Sequence, residues 1–376
     1  MTLPHVDHVG SLLRPQALKD ARERLIGPQS PTENLGAHDI AELRKIEDGF
    51  VTEVVRLQED AGLKIVTDGE FRRRSWWSDF FLSLGGVTVS YLGTSPIKFI
   101  NAAGEERPMP GIRVTGKIEW KSSVNVAPFR FLKSAARRAT PKVCLPTPSF
   151  IYFLRDIEID RKAYPDVEQF WKDIVAAYRA EIAALADAGC RHVQLDEVML
   201  TFLCDPRHRE VSRKRGEDPD ALAAKFVDVT NAIVARRPPG MTVTMHMCRG
   251  NLSAYWGAEG SYDTIADKAF GGLDVDGFLL EYDTPRAGDF APLRHVGRGK
   301  TAFLGLMSTK ETRLETPDEL KRRIDAAAKI VPLDRLGLCP QCGFSTNVWG
   351  THFTIDDEKR KLERLVEVAG SVWGAA

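Results

Sequence analysis

The chain has 376 residues, 43% of them hydrophobic, which is enough for one large core or two modest ones. Lys plus Arg and Asp plus Glu number 52 each. A net charge near zero excludes the basic field that holds nucleic acid or an anionic membrane surface.

Short apolar strands alternate with helix-length amphipathic segments. Strands are predicted at 6–11, 64–70, 142–148, 192–198, 242–248, 277–283, 301–307 and 336–342. A helix is predicted over 40–62, opened by an N-cap pattern at Asp39 and ended at Gly62. A second, over 166–188, sets Phe170, Ile174, Tyr178, Ile182 and Leu185 on one stripe. A third opens at Pro317 and runs over about 317–330. Eight strands alternating with helices predict a single α/β domain over 1–376, a (β/α)8 TIM barrel. A doubly wound sheet is disfavoured because no Gly-x-Gly-x-x-Gly loop follows a strand. Residues 72–140 break the rhythm between strands 2 and 3. They read as an insertion or lid, with a strand at 112–120 and a basic helical piece at 129–138.

The apolar runs are strand-sized or broken by charge, so no bilayer span is expected. The opening MTLPHVDHVG has neither a basic region nor an apolar one, so it does not read as a signal peptide. Six cysteines in a chain this long predict a reduced, cytoplasmic protein rather than a disulfide scaffold.

In a barrel, the C-terminal strand ends surround one pocket. Here they carry Gly10-Ser11, Asp68-Gly69-Glu70, Asp196-Glu197, His246-x-Cys248, Glu281-x-Asp283 and Cys339-x-x-Cys342. Strand alternation points His246 and Cys248 the same way. Imidazole with thiolate suits zinc, although an isolated His-x-Cys is more often a buried Cys beside a core His. Convergent carboxylates, imidazole and thiols at facing strand ends favour a site. A zinc ion with two thiolates and a carboxylate is a poor Lewis acid for carbonyls. It is suited to holding a substrate thiol as a nucleophilic thiolate.

Val9-Gly10-Ser11, Asp68-Gly69-Glu70, Leu195-Asp196-Glu197, His246-Met-Cys248, Leu280-Glu281 and Pro340-Gln-Cys342-Gly343 resemble the catalytic barrel of cobalamin-independent methionine synthase in order and spacing. The resemblance implies zinc ligands His246, Cys248, Glu281 and Cys342, with Cys339 outside the set. It implies that Ser11, Glu70 and Asp196 bind the amino acid part of homocysteine, Asp196 also sharing in catalysis. The bland alternatives are an N-cap for Asp196, a turn for Ser11 and a pairing of Glu70 with Arg72–Arg74. The family's general acid is a His; at that position this sequence has Lys310, which can donate a proton if its pKa is lowered or can bind an anionic group, and whose bland reading is a surface residue starting a helix. The family's Asn-Trp-Ser becomes Thr147-Pro148-Ser149, which removes an aromatic platform. The sequence spans about half the two-barrel synthases.

The function implied is zinc-dependent alkyl transfer to a thiol, foremost methyl transfer to homocysteine. The partners implied are a small-molecule thiol and an alkyl donor, either 5-methyltetrahydrofolate or a methyl carrier, a carrier protein included. No nucleic acid or membrane partner is expected, and the oligomeric state is left open. The alternatives are epoxide opening by coenzyme M or alkyl transfer from a small methylated catabolite, a uroporphyrinogen-type decarboxylase and a non-catalytic zinc protein.

Overall fold

The computed structural model describes residues 3–27, 36–253, 255–348 and 352–374, with the backbone alone at Tyr91. Its strands are β1 Ile65–Val66, β2 Gly85–Leu92, β3 Lys98–Ile100, β4 Glu106–Pro108, β5 Pro110–Glu119, β6 Thr140–Pro141, β7 Val143–Pro146, β8 His192–Glu197, β9 Thr242–Met247, β10 Gly277–Glu281, β11 Thr301–Met307 and β12 Leu336–Pro340. The strands β7 to β12 form one parallel six-stranded sheet in chain order. At one edge β6, continuous in sequence with β7, pairs in parallel with β1. At the other edge Val6 makes a parallel bridge to Leu338. The result is an α/β fold around a parallel sheet, whose strands are buried on both faces.

The first two predicted strands are much shorter in the structure. Only Val6 and Ile65–Val66 pair as strand. The reason lies in the backbone. Gly10 in the first segment and Gly69 and Glu70 in the second have positive φ, +125°, +66° and +60°, which no strand tolerates. The segments meet through Leu12 N–H donating to Gly69 O at 3.0 Å and Thr67 Oγ1 donating to Gly10 O at 2.6 Å. These turns project Ser11 and Glu70 beyond the sheet.

The helix Val167–Asp187 buries the whole predicted stripe, and Asp166 caps it by accepting from Glu168 N–H. Pro317–Ala328 carries a capping box from Thr316 and Glu319. Ala41–Asp60 departs from expectation at its start. Asp39 is not its cap; it pairs with the Arg44 guanidinium, and Ile40 takes the cap position without a side-chain bond.

The stretch 72–140 holds four devices. Ser78–Ser83 is a short helix missed in the sequence. The antiparallel pair β2·β5 contains the expected strand. The β3·β4 hairpin was also missed. The basic helical piece lies at Val126–Ala135.

Candidate active site and metal centre

The last residues of β9 and the turn after β12 bring three soft donors together. One ligand atom each of His246, Cys248 and Cys342 lies within 4.8 Å of the others, all buried. The two sulfurs are 3.8 Å apart. The His246 ring is oriented by Nδ1, 3.2 Å from Leu279 O. That leaves Nε2, buried and without an ordinary hydrogen bond, as the nitrogen for a ligand. The thiols are not equivalent. A hydrogen bond from Cys342, together with His246, holds the Cys248 thiol down at about 5 against the effect of burial. The Cys342 thiol is pushed well up. Two thiols this close are a pair that a divalent cation would hold as thiolates, with release of their protons. Burial opposes protonation of His246, but the neighbouring Cys248, Asp196 and Glu281 outweigh it.

Above this cluster lies a cavity of about 340 Å³. Ser11, Glu70, Asp196, His246, Cys248 and Cys342 all line it. Six of the eight expected site residues therefore share one wall. Burial, reinforced by Asp196 and opposed by Arg73, raises the Glu70 carboxyl to about 7. Glu70 Oε1 accepts from Arg73 at 3.2 Å, so the expected pairing with the arginine run is realised in part, while Oε2 is buried without a partner. Burial also raises Asp196 to about 6, opposed by His246 and by the Gln194 hydrogen bond. Asp196 does not cap a helix; Glu197 does that, accepting from Leu200 N–H. Ser11 lies against Gly343, where an added Cβ would meet its Oγ at 1.9 Å.

Residues 30–370 match the family model of the cobalamin-independent synthase catalytic domain. The chain belongs to this family. It is a methyltransferase family. The Bacillus subtilis (strain 168) protein YxjH, itself uncharacterized, is 40% identical over 98% of this chain and 94% of its own length. A Listeria monocytogenes structure described as a vitamin-B12-independent methionine synthase superposes with a TM-score of 0.76 at 33% identity, covering 100% of this chain and 99% of that one. The 5-methyltetrahydropteroyltriglutamate–homocysteine methyltransferase of Mycobacterium leprae is 23% identical over 98% of this chain. This chain covers 46% of that relative's length.

In this cobalamin-independent synthase domain the other two expected site residues stand behind the cluster. Glu281 is not within it. Its Oε1 accepts from Lys310 Nζ at 3.2 Å and Arg286 Nη2 at 3.0 Å, and its Oε2 from Arg249 N–H at 2.7 Å. Burial alone would raise its carboxyl. Lys310, Arg249 and Arg286 outweigh that and hold it at about 2. Lys310 is no surface residue: it is 8% exposed and also bonds Asp283 Oδ2 at 3.1 Å. Cys339, the other half of the Cys-x-x-Cys, packs with Val9, Leu279 and Phe303 in the sheet interior.

Several functional neighbours escaped the sequence reading. Gln194 Nε2 donates to Asp196 Oδ1 at 2.7 Å and to Val9 O at 2.6 Å, and its Oε1 accepts from buried Lys142. The i, i+2 spacing of Gln194 and Asp196 on β8 was the available signal. Arg14 has no local signal. It binds the carbonyls of Glu70, Arg73, Ser345 and Asn347, tying the Ser11, Glu70 and Cys342 turns together. At Thr147-Pro148-Ser149, Ser149 serves Glu197 and no ring is present. Aromatic surface comes instead from Phe150, next in sequence, and from Trp76, whose rings sit edge to face at 4.8 Å.

Proposed function

We propose that this domain transfers a methyl group to the thiol of homocysteine, giving methionine, with a metal at His246, Cys248 and Cys342. The observation that carries the reading is the placing of these donors on the wall of a cavity whose adjoining surface is Ser11, Glu70 and Asp196. Two sulfurs and an imidazole are the donor set of zinc, and three protein ligands leave a position for a substrate atom. When bound, zinc would lower the thiol pKa and hold the sulfur as a nucleophile. Glu281 is the expected fourth ligand. Ligation would compete with its bonds to Lys310 and Arg286, so we assign it first to holding the Arg249 N–H beside Cys248.

The chain's own groups do the remaining work. Glu70 and Asp196 would receive the amino acid's ammonium, which their mutual repulsion in a buried site favours. Ser11 would donate to its carboxylate. Lys310, expected as the general acid, is bound to two carboxylates, and we give it the positioning of Glu281 and Asp283. The reaction takes place in one unit, a (β/α)8 barrel over the whole chain. Residues 72–140 form a cover on it, since Ile97, Phe99 and Met109 line the cavity. No helix among the described residues is long and apolar enough to cross a membrane.

Calorimetric titration of zinc-loaded protein with homocysteine, in buffers of different ionisation enthalpy, tests this. Binding with about one proton released is expected. Binding of coenzyme M in its place would move the protein to epoxide opening. Absence of binding by either thiol would end the reading.

A further inference from the structure

The part of the cavity away from the sulfurs has a composition of its own. Trp76, Trp77 and Phe150 form one wall, with Trp77 and Phe150 rings 5.5 Å apart. Phe99 and Phe202, 6.4 Å apart, line it from the β3·β4 hairpin and the β8 side. Its acidic groups are Glu70, Asp196, Cys248 and Cys342. Zinc would neutralise the two thiolates, so the negative charge facing a donor rests on the two carboxyl groups and on the homocysteine thiolate and carboxylate. Against these stands one guanidinium among the lining residues, Arg107, which is exposed and lies 4.0 Å over the Tyr255 ring.

Aromatic faces beside negative charge are the environment of a desolvated organic cation, because ring quadrupoles and anions both attract it. A donor bearing an oligoglutamate tail would bring several carboxylates to a surface with one cation at its rim. The thiol substrate and the donor also share only about 340 Å³.

The proton inventory points the same way. A donor whose leaving group departs as an anion needs a proton as the bond breaks. Among the described lining residues there is no Lys and no Tyr, the one His is His246, and the two carboxyl groups, Glu70 and Asp196, are taken by the homocysteine ammonium in the reading above. Lys310 is off the lining, between Glu281 and Asp283.

We propose that the methyl donor is a small onium compound, a methylsulfonium or methylated quaternary ammonium, held between the Trp76–Phe150 and Phe99–Phe202 walls. This rests on the homocysteine reading above. The thiol proton leaves to solvent. The thiolate sulfur then attacks the methyl carbon and forms the new S–C bond. The old bond from carbon to the onium atom breaks, and its electron pair stays on that atom. The leaving group is a neutral thioether or tertiary amine and needs no protonation.

The test uses the zinc-loaded full chain with homocysteine and, in separate arms, S-methylmethionine, dimethylsulfonioacetate, glycine betaine and 5-methyltetrahydrofolate as mono- and triglutamate. Methionine formation from an onium donor at a kcat/KM at least tenfold above both folates is expected. Equal or faster transfer from a folate overturns the proposal. So does the absence of transfer from every onium donor while homocysteine still binds with proton release. If homocysteine does not bind, the failure belongs to the function reading itself. A binding arm is independent of turnover: tetramethylammonium against tert-butanol, followed by calorimetry on the parent and on Trp76→Leu. The cation should bind the parent more tightly than the neutral molecule and lose roughly fivefold or more in the variant, the range of one cation–π contact. Equal affinity for both probes, or an unchanged Trp76→Leu, would sink the aromatic cage.

Discussion

At the scale of single residues, the Cys-x-x-Cys motif invites a pairing that the fold refuses. Cys342 faces Cys248 across 3.8 Å, whereas Cys339 is fully buried among Leu279, Phe303 and Val9. Cys248→Ala should therefore drop bound zinc from about one per chain to under a tenth. Cys339→Ala should keep it and cost only the few kcal/mol of a small core cavity. Elemental analysis of both variants checks this, and equal zinc loss in the two would reassign the ligands. Gln194 supplies a second case. It is the group that fixes Asp196, and it is itself fixed by Lys142, which is 1% exposed and pairs with Asp7 at 2.6 Å. Replacing it by Met removes one hydrogen bond from the Asp196 carboxylate without adding charge. Homocysteine affinity should fall about tenfold, the equivalent of about 1.4 kcal/mol, with kcat changed much less. An equal drop in kcat with KM unmoved would place Asp196 in the chemical step rather than in binding.

At the scale of elements, the later strands were legible to within two residues because each is either an apolar run, as in β10 to β12, or an alternation of apolar and polar residues, as in β8 and β9. The Thr301–Met307 strand coincides with its expected range. What was not legible was how early the first two strands give way. Their sequences still look like strands, and the positive φ at Gly10 in the first and at Gly69 and Glu70 in the second shows the backbone turning. The β3·β4 hairpin was also invisible, since three-residue strands are below what alternation can signal. The helix Ile355–Trp373 carries a pH-sensitive feature that no pattern announces. Glu358, 1% exposed in its first turn, accepts from Leu13 N–H at 2.8 Å. Burial raises its carboxyl to about 8 against the weaker pull of that bond. The folded state therefore holds a proton that the unfolded chain, with an ordinary Glu near 4.5, gives up. Stability is greatest below the unfolded value, declines as pH rises from there through about 8, and levels off above it. Glu358→Gln keeps an acceptor for Leu13 and removes the titration. Its melting temperature should exceed the parent's by several degrees at pH 8.5, with the gap narrowing toward pH 5. Parallel curves across that range would show that Glu358 is not the group responsible.

At the scale of the whole molecule, the proposed metal and the fold should be separable. A structural zinc closes local loops, and small domains built on one unfold without it. Here the three donors come from strand ends of a large parallel sheet. That sheet is held by its own ladders and by a core running from Val6 to Ala369. The two sulfurs are 3.8 Å apart, close enough to hydrogen-bond to each other once protonated, so metal removal need not leave two bare thiolates. Linkage then sets the size of the effect. A ligand present at a thousand times its Kd stabilises by about 4 kcal/mol, and each kcal/mol shifts the melting point of a chain this large by a few degrees at most. Chelation at neutral pH should thus lower the melting temperature by roughly 5 to 15 °C, leave the far-ultraviolet circular dichroism at 25 °C unchanged and abolish proton release on adding homocysteine. Restoring zinc should return both. Loss of the dichroism signal on chelation would mean that the cluster holds the sheet together, and a site that does so has no position to spare for a substrate.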